Sequence, residues 1–166
     1  GFRPKGCWPS EGAVSTETLK VVSQHGFEWA ATGENVLRNS LKLSDMADAS
    51  IHKPYKMPGA SPACFFRDDG LSDMIGFIYT KWGADDAVND FIHHLLNIKK
   101  NTEGDADRVV SVILDGENAW EYYSYNGYYF LQALYRQLEA HPDIELTTFS
   151  EALHSGVQPA KLPKMV

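Results

Sequence analysis

The chain has 166 residues, 43% hydrophobic and 12% aromatic, which supplies apolar material for one compact domain and excludes a disordered tail. Its net charge of −7, with no basic run beyond Lys99-Lys100, excludes a nucleic-acid phosphate track or an anionic membrane surface and favours a neutral or cationic ligand. Cys7 and Cys64 lack any CxxC partner, so they are expected to be reduced, small, buried residues; no apolar span or signal pattern occurs, which says little about location in a chain that begins with Gly1 instead of Met, and the compartment expected is the cytoplasm.

The first stretch with chemistry in it is GCWPSEG, residues 6–12. Pro9 fixes its own φ and Gly12 permits angles that other residues avoid, so Glu11 is expected on a stiff turn, with Trp8 close enough to take water from its carboxylate. The plainer reading is an acid at a helix N-terminus, favoured by the macrodipole. Residues 15–25 have apolar spacing, a Ser15 or Thr16 cap and a stop at Gly26, which predicts a helix. FEWAAT, residues 27–32, is of strand length, and a second helical pattern follows near residues 36–41. Residues 42–62 hold Pro54, Pro58, Gly59 and Pro62 and read as a long loop, a kind that is usually functional or mobile.

ACFF, residues 63–66, predicts a buried strand that runs into Arg67, Asp68 and Asp69, and residues 71–82 have helical spacing. Residues 84–100 form a stronger amphipathic pattern, with Asp85 and Asp86 in the first turn and lysines in the last. VVSVIL, residues 109–114, is apolar on both faces and predicts an interior parallel strand. It ends in Asp115, Glu117, Asn118 and Trp120; an aromatic segment then merges into a helix through residue 140, with a strand expected at 144–149 and a short helix at 150–153. Residues 1–155 are expected as one partial β/α-barrel domain and 156–166, with Pro159 and Pro163, as a linker or tail.

Strands alternating with helices predict an α/β fold with a parallel sheet, whose ligands meet the loops at the strands' carboxyl ends. The acids stand at those ends: Glu11, then Glu34, then Asp68, Asp69 and Asp73, then Asp115 and Glu117. Paired carboxylates beside tryptophan and tyrosine suit glycoside hydrolysis, where one attacks or stabilises the sugar cation, the other protonates the leaving oxygen, and rings stack on sugars. Trp8, Trp120, Tyr122, Tyr123 and Tyr125 lie near the acids, whereas Tyr128, Tyr129 and Phe130 are expected to be packing residues. No metal set is expected. His93 and His94 are adjacent, and so point to different sides of their helix; His25, His52, His141 and His154 are scattered and expected at the surface, and DDGLSD lacks calcium-loop spacing. Neither cysteine has an orienting partner in a motif, and no glycine-rich phosphate loop occurs.

GCWPSEGAVS, FEWAATGENVL, FFRDDGLSDMIGF and ILDGENAWEYY, in this order, resemble the later motifs of glycoside hydrolase family 57, closest to its amylopullulanase-like, α-glucan-acting members. The resemblance implies an incomplete seven-stranded parallel β/α barrel, of which this chain would form four to five strands. It implies a retaining hydrolase or transglycosylase acting on α-1,4 or α-1,6 glucosidic bonds, with no cofactor or catalytic metal. By matching position, Glu11 would be the nucleophile and Asp68 the general acid/base, with Asp69 and Asp73 open as alternatives for the acid. Trp8, Glu34, Arg67, Asp69, Asp73, Asp115, Glu117, Asn118 and Trp120 would line the sugar site. The other reading is a non-catalytic carbohydrate-binding fragment or structural remnant of such a domain.

Two departures from the family pattern accompany the likeness. Its early motifs, including a His-Gln-Pro turn on the first strand, have no counterpart, which implies a catalytic-domain fragment. Such a fragment would be inactive alone and would need the earlier part of the barrel, or a second copy, against its open sheet edge. Gly33 also stands where relatives with the WAAT segment are expected to carry an acid.

Overall fold

The computed structural model describes residues 1, 3–44, 49–117 and 119–166. The chain divides into two units: Gly1–Asp68 with Ala106–Ser111 and Thr148–Val166, and Asp69–Asp105 with Val112–Thr147.

In the first unit, short apolar runs form one sheet from β1 (Gly6–Cys7), β2 (Trp29–Gly33), β3 (Tyr55–Lys56), β4 (Ala63–Arg67) and β5 (Ala160–Lys161), in the order β1-β2-β4-β3-β5. β1, β2 and β4 are parallel, β3 is antiparallel to β4, and β5 is parallel to β3. The expected α/β class is therefore present, and the sheet, expected to be parallel, is parallel except where β3 runs against β4. Helix α1 (Thr16–Gln24) starts where the Ser15 hydroxyl accepts the Thr18 N–H at 3.2 Å, and α2 (Glu34–Lys42) follows β2 directly. Alternation along β2 and β4 sends Ala30, Cys64 and Phe66 to the side of Leu19, Leu37 and Leu41. The opposite face carries Trp29 and Phe65 against Phe149, with ring centroids 4.9 and 4.2 Å away. Phe149 opens a short helix (Phe149–His154) whose first turn has a reciprocal Thr148–Glu151 capping box.

Three expectations are corrected here. Residues 109–114 do not form an interior strand: only Ser111 makes a bridge, to Arg67 at the tip of β4. The reason is that β3 already pairs with the same edge of β4 at Cys64, which leaves only that tip to a further chain. The strand expected at 144–149 does not form: 145–148 are exposed and Phe149 is already helical. The last residues, expected as a loose tail, are anchored: β5 adds to β3, and Leu162 and Met165 are buried in the sheet's core cluster. Leu162→Ala should therefore cost about 2–5 kcal/mol, measured by denaturant unfolding, whereas a frayed tail would give no change. The loop of 42–62 contributes β3; residues 45–48 of it lie outside the described set.

The second unit is helical. The single helix expected over 71–82 is a short α-helical turn (Asp69–Asp73), a π-turn (Met74–Ile78) and a 3₁₀ turn (Tyr79–Lys81). The Tyr123 hydroxyl donates to the Ile75 carbonyl, within the π-turn, at 2.6 Å. The Ala84–Asn101 and Tyr128–Ala140 helices pack on one another. Phe130 is buried as expected, but Tyr128 and Tyr129 are exposed, contrary to their reading as packing residues.

Candidate active site

The three parallel strands set the geometry. Cys7, Ala30 and Cys64 form one row across β1, β2 and β4. Glu11, Glu34 and Asp68 each stand four residues beyond that row, so three of the acids read from sequence leave the sheet at the same edge.

Glu11 sits in a 3₁₀ turn (Ser10–Gly12) closed by Gly12 N–H donating to the Pro9 carbonyl at 2.9 Å. Its backbone is left-handed, φ 53° and ψ 20°, a conformation that costs a non-glycine residue roughly 1–2 kcal/mol. Strain of this kind persists only where its surroundings enforce it. Here the enforcers are visible. The fully buried Thr32 hydroxyl, near the end of β2, donates to the Gly12 carbonyl in a short hydrogen bond. The Trp8 indole lies against Gly12, where a Cβ would come within 2.6 Å of the ring, and Gly12 is itself at φ 67°. Glu11 is exposed, so the ring supports the turn instead of stripping water from the carboxylate. Thr32 was not singled out from sequence, although its place at the end of a strand facing the carboxylate turn is a signal that was there to read.

Asp68 follows β4 directly and is nearly buried. Its Oδ2 lies 2.9 Å from Nε2 of His52, and the two side chains are 12% and 14% exposed. This corrects the expectation that His52 is a surface residue. The residues misread as a strand are a brace for this pair: Val109 N–H donates to the His52 carbonyl and Asp68 N–H to the Ser111 carbonyl, both at 2.8 Å. Ser50 accepts the His52 N–H at 3.0 Å. The sequence signal for His52 is its place in a long, proline-bearing loop.

Glu34 begins α2 and pairs with Arg38 one turn on, at 2.8 Å. Arg67 ends β4, level with Gly33 on β2. A Cβ at Gly33 would meet nothing within 4 Å, so the site has room at that position. Burial pushes the Cys64 thiol far above its usual range, which keeps it a protonated, inert core residue.

The remaining sequence-read residues belong to the second unit. Asp69 opens its first helical turn and Asp73 closes it, with Asp73, Asp115 and Glu117 exposed. Asn118 lies outside the described residues. Trp120 packs edge-on to Tyr123 at 5.5 Å and beside Phe130 at 6.2 Å, so much of its surface serves an aromatic cluster. Tyr79 donates to Asp90 at 2.7 Å, and burial, then Asp90, raises its hydroxyl well above the usual tyrosine range, as burial does for Tyr123. Among the described residues, no group of three or more His, Cys, Asp or Glu side chains is arranged to hold a metal ion.

The model of glycosyl hydrolase family 57 matches residues 1–165. The chain belongs to this family. Solved structures that share the family 57 chain's fold include two α-glucan enzymes. The 4-α-glucanotransferase from Thermococcus litoralis superposes with a TM-score of 0.74 at 22% identity, covering 98% of this chain and 24% of that one. The α-amylase AmyC from Thermotoga maritima gives a TM-score of 0.70 at 15% identity, covering 98% of this chain and 43% of that one. The family 57 chain thus spans between about a quarter and under half of these proteins. No curated protein matches it significantly.

Proposed function

We propose that this chain carries catalytic carboxylates of an enzyme that hydrolyses or transfers α-1,4 or α-1,6 glucosidic bonds of α-glucans with retention of configuration. Glu11 is the nucleophile and Asp68 the general acid/base. The observation that carries this reading is the shared rim: Glu11 and Asp68 follow the two strands that flank β2, each four residues past one row. Those flanking strands are two strand spacings apart, about 10 Å, which two facing acid side chains can narrow toward the roughly 5–5.5 Å of a retaining pair. Family membership and the α-glucan enzymes named among the structural neighbours support the substrate class.

In the first step Asp68 gives its proton to the glycosidic oxygen as the C1–O bond breaks, and a Glu11 carboxylate oxygen bonds to C1. In the second, water or a sugar hydroxyl gives its proton to Asp68 while its oxygen bonds to C1 and Glu11 departs as carboxylate. Trp8, Glu34 and Arg67, which stand at the same strand ends, contact the sugar in this reading.

The test is covalent trapping. The active enzyme that contains this chain is incubated with 5-fluoro-α-glucosyl fluoride, and its peptides are analysed by mass spectrometry. A fluoroglucosyl adduct on Glu11 is expected; an adduct on another carboxylate, or none while an α-glucan is still turned over, overturns the assignment.

A further inference from the structure

We infer that His52 is a positioning residue for Asp68, a role that rests on the reading of Asp68 as the general acid/base. Three observations converge on it. The His52–Asp68 contact is a 2.9 Å hydrogen bond between two side chains that are both largely withdrawn from water. Both backbones are fixed by one segment, through Val109 on His52 and Ser111 on Asp68. A third hold, from Ser50 to the His52 N–H, comes from the other side of the histidine along its own loop. A pair that were merely a surface ion contact would not be clamped on both backbones.

The chemistry follows from what each group can donate. A carboxylate only accepts, so when Asp68 is ionised Nε2 of His52 carries the hydrogen and donates to Oδ2. Asp68 alternates between acid and carboxylate during each turnover, and the carboxylate form appears at the moment the glycosidic oxygen takes the proton. A charge-assisted hydrogen bond from His52 stabilises that form and holds the carboxyl plane in one orientation through both steps. The proton given up by Asp68 goes to the leaving oxygen and returns from water or the sugar acceptor. His52 keeps its own proton throughout, so it neither gains nor loses one over the cycle.

The prediction separates positioning from scaffolding through the leaving group. His52→Leu should lower kcat on an α-glucan about 10–100-fold, a share of the roughly 10²–10⁴-fold that a general acid supplies, with little change in KM. On α-maltosyl fluoride, whose leaving group needs no proton, glycosylation should slow less than about twofold. His52→Gln, which keeps an N–H near the Nε2 position, should recover most of the glucan activity. Equal losses on both substrates, or no recovery by glutamine, would overturn the role. One arm needs no turnover: in ¹⁵N spectra of the ring, wild-type His52 should show the Nε2–H tautomer, and Asp68→Asn should change its Nε2 signal. An unmoved signal means the pair does not form. If the pair is seen by this measurement but Asp68→Asn leaves glucan turnover intact, the reading of Asp68 as the general acid/base has failed and not the contact.

Discussion

Glu11→Gln should abolish turnover of α-glucans while leaving the fold intact. The side chain is exposed, its replacement has the same shape, and the turn around it is held by Thr32 and Trp8 through Gly12, none of which touches the exchanged atom. The amide cannot form the glycosyl bond, so kcat should fall by about 10⁴–10⁶-fold, the scale on which loss of a covalent nucleophile is felt. The unfolding midpoint should move by less than the equivalent of about 0.5 kcal/mol, as for exposed substitutions elsewhere. Glu11→Gly makes the complementary point. It removes the same carboxylate but relieves the left-handed backbone, and should raise stability by about 1 kcal/mol. If both variants fold, the strained turn does not need the Glu11 carboxylate to form. Turnover within tenfold of wild type in Glu11→Gln would sink the nucleophile assignment, and loss of folding would point to a structural acid instead.

The elements legible in the sequence are those whose signal is local. α1 declares itself by Ser15, Leu19 and Gly26, and β2 and β4 by short apolar runs that end in acidic turns. The placement of Glu11, Glu34 and Asp68 on one edge was legible for the same reason, since parallel strands present their carboxyl ends together. What could not be read was decided by competition between distant segments. VVSVIL has every local property of a buried strand, yet the two-residue β3 already occupies its place beside β4, and the run becomes a brace. β3 and β5 carry almost no strand signal of their own, because a two-residue strand is specified by its neighbours and not by its periodicity. His52 was missed because nothing next to it in the chain is acidic; its partner is sixteen residues away. Tyr128 and Tyr129 were read as packing because they adjoin Phe130, but in a helix consecutive side chains point in different directions, and only Phe130 turns inward.

Gly6→Ala should be the most damaging small substitution in the first unit. Gly6 is paired with Trp29 across β1 and β2, and a Cβ on it would stand 2.0 Å from two atoms of the indole. Its neighbours hold the ring in place. Phe149 packs its edge 4.9 Å away, Phe65 lies 6.5 Å away on the same face, and the indole N–H donates to the Ser150 hydroxyl at 3.0 Å. Overpacking costs typically 1–3 kcal/mol where neighbours can shift; here either the indole must leave that cluster or β1 must lift off β2, so about 3 kcal/mol or more is expected. That would lower the melting temperature by roughly 10 °C in a chain of this size. Trp29→Ala in the Gly6→Ala background should recover part of the difference, and the double-mutant cycle should show coupling above about 1 kcal/mol. A Gly6→Ala protein as stable as wild type would mean that the indole does not sit over β1. The consequence reaches the site, because β1 is only two residues long and the Glu11 turn follows it closely. A displaced β1 moves Glu11 relative to Asp68, and for the proposed catalytic pair a misplacement of about 1 Å can cost on the order of 100-fold in rate. Molecules of Gly6→Ala that remain folded should therefore lose turnover beyond their share of unfolded protein, which ties the packing of one glycine to the spacing of the two carboxylates.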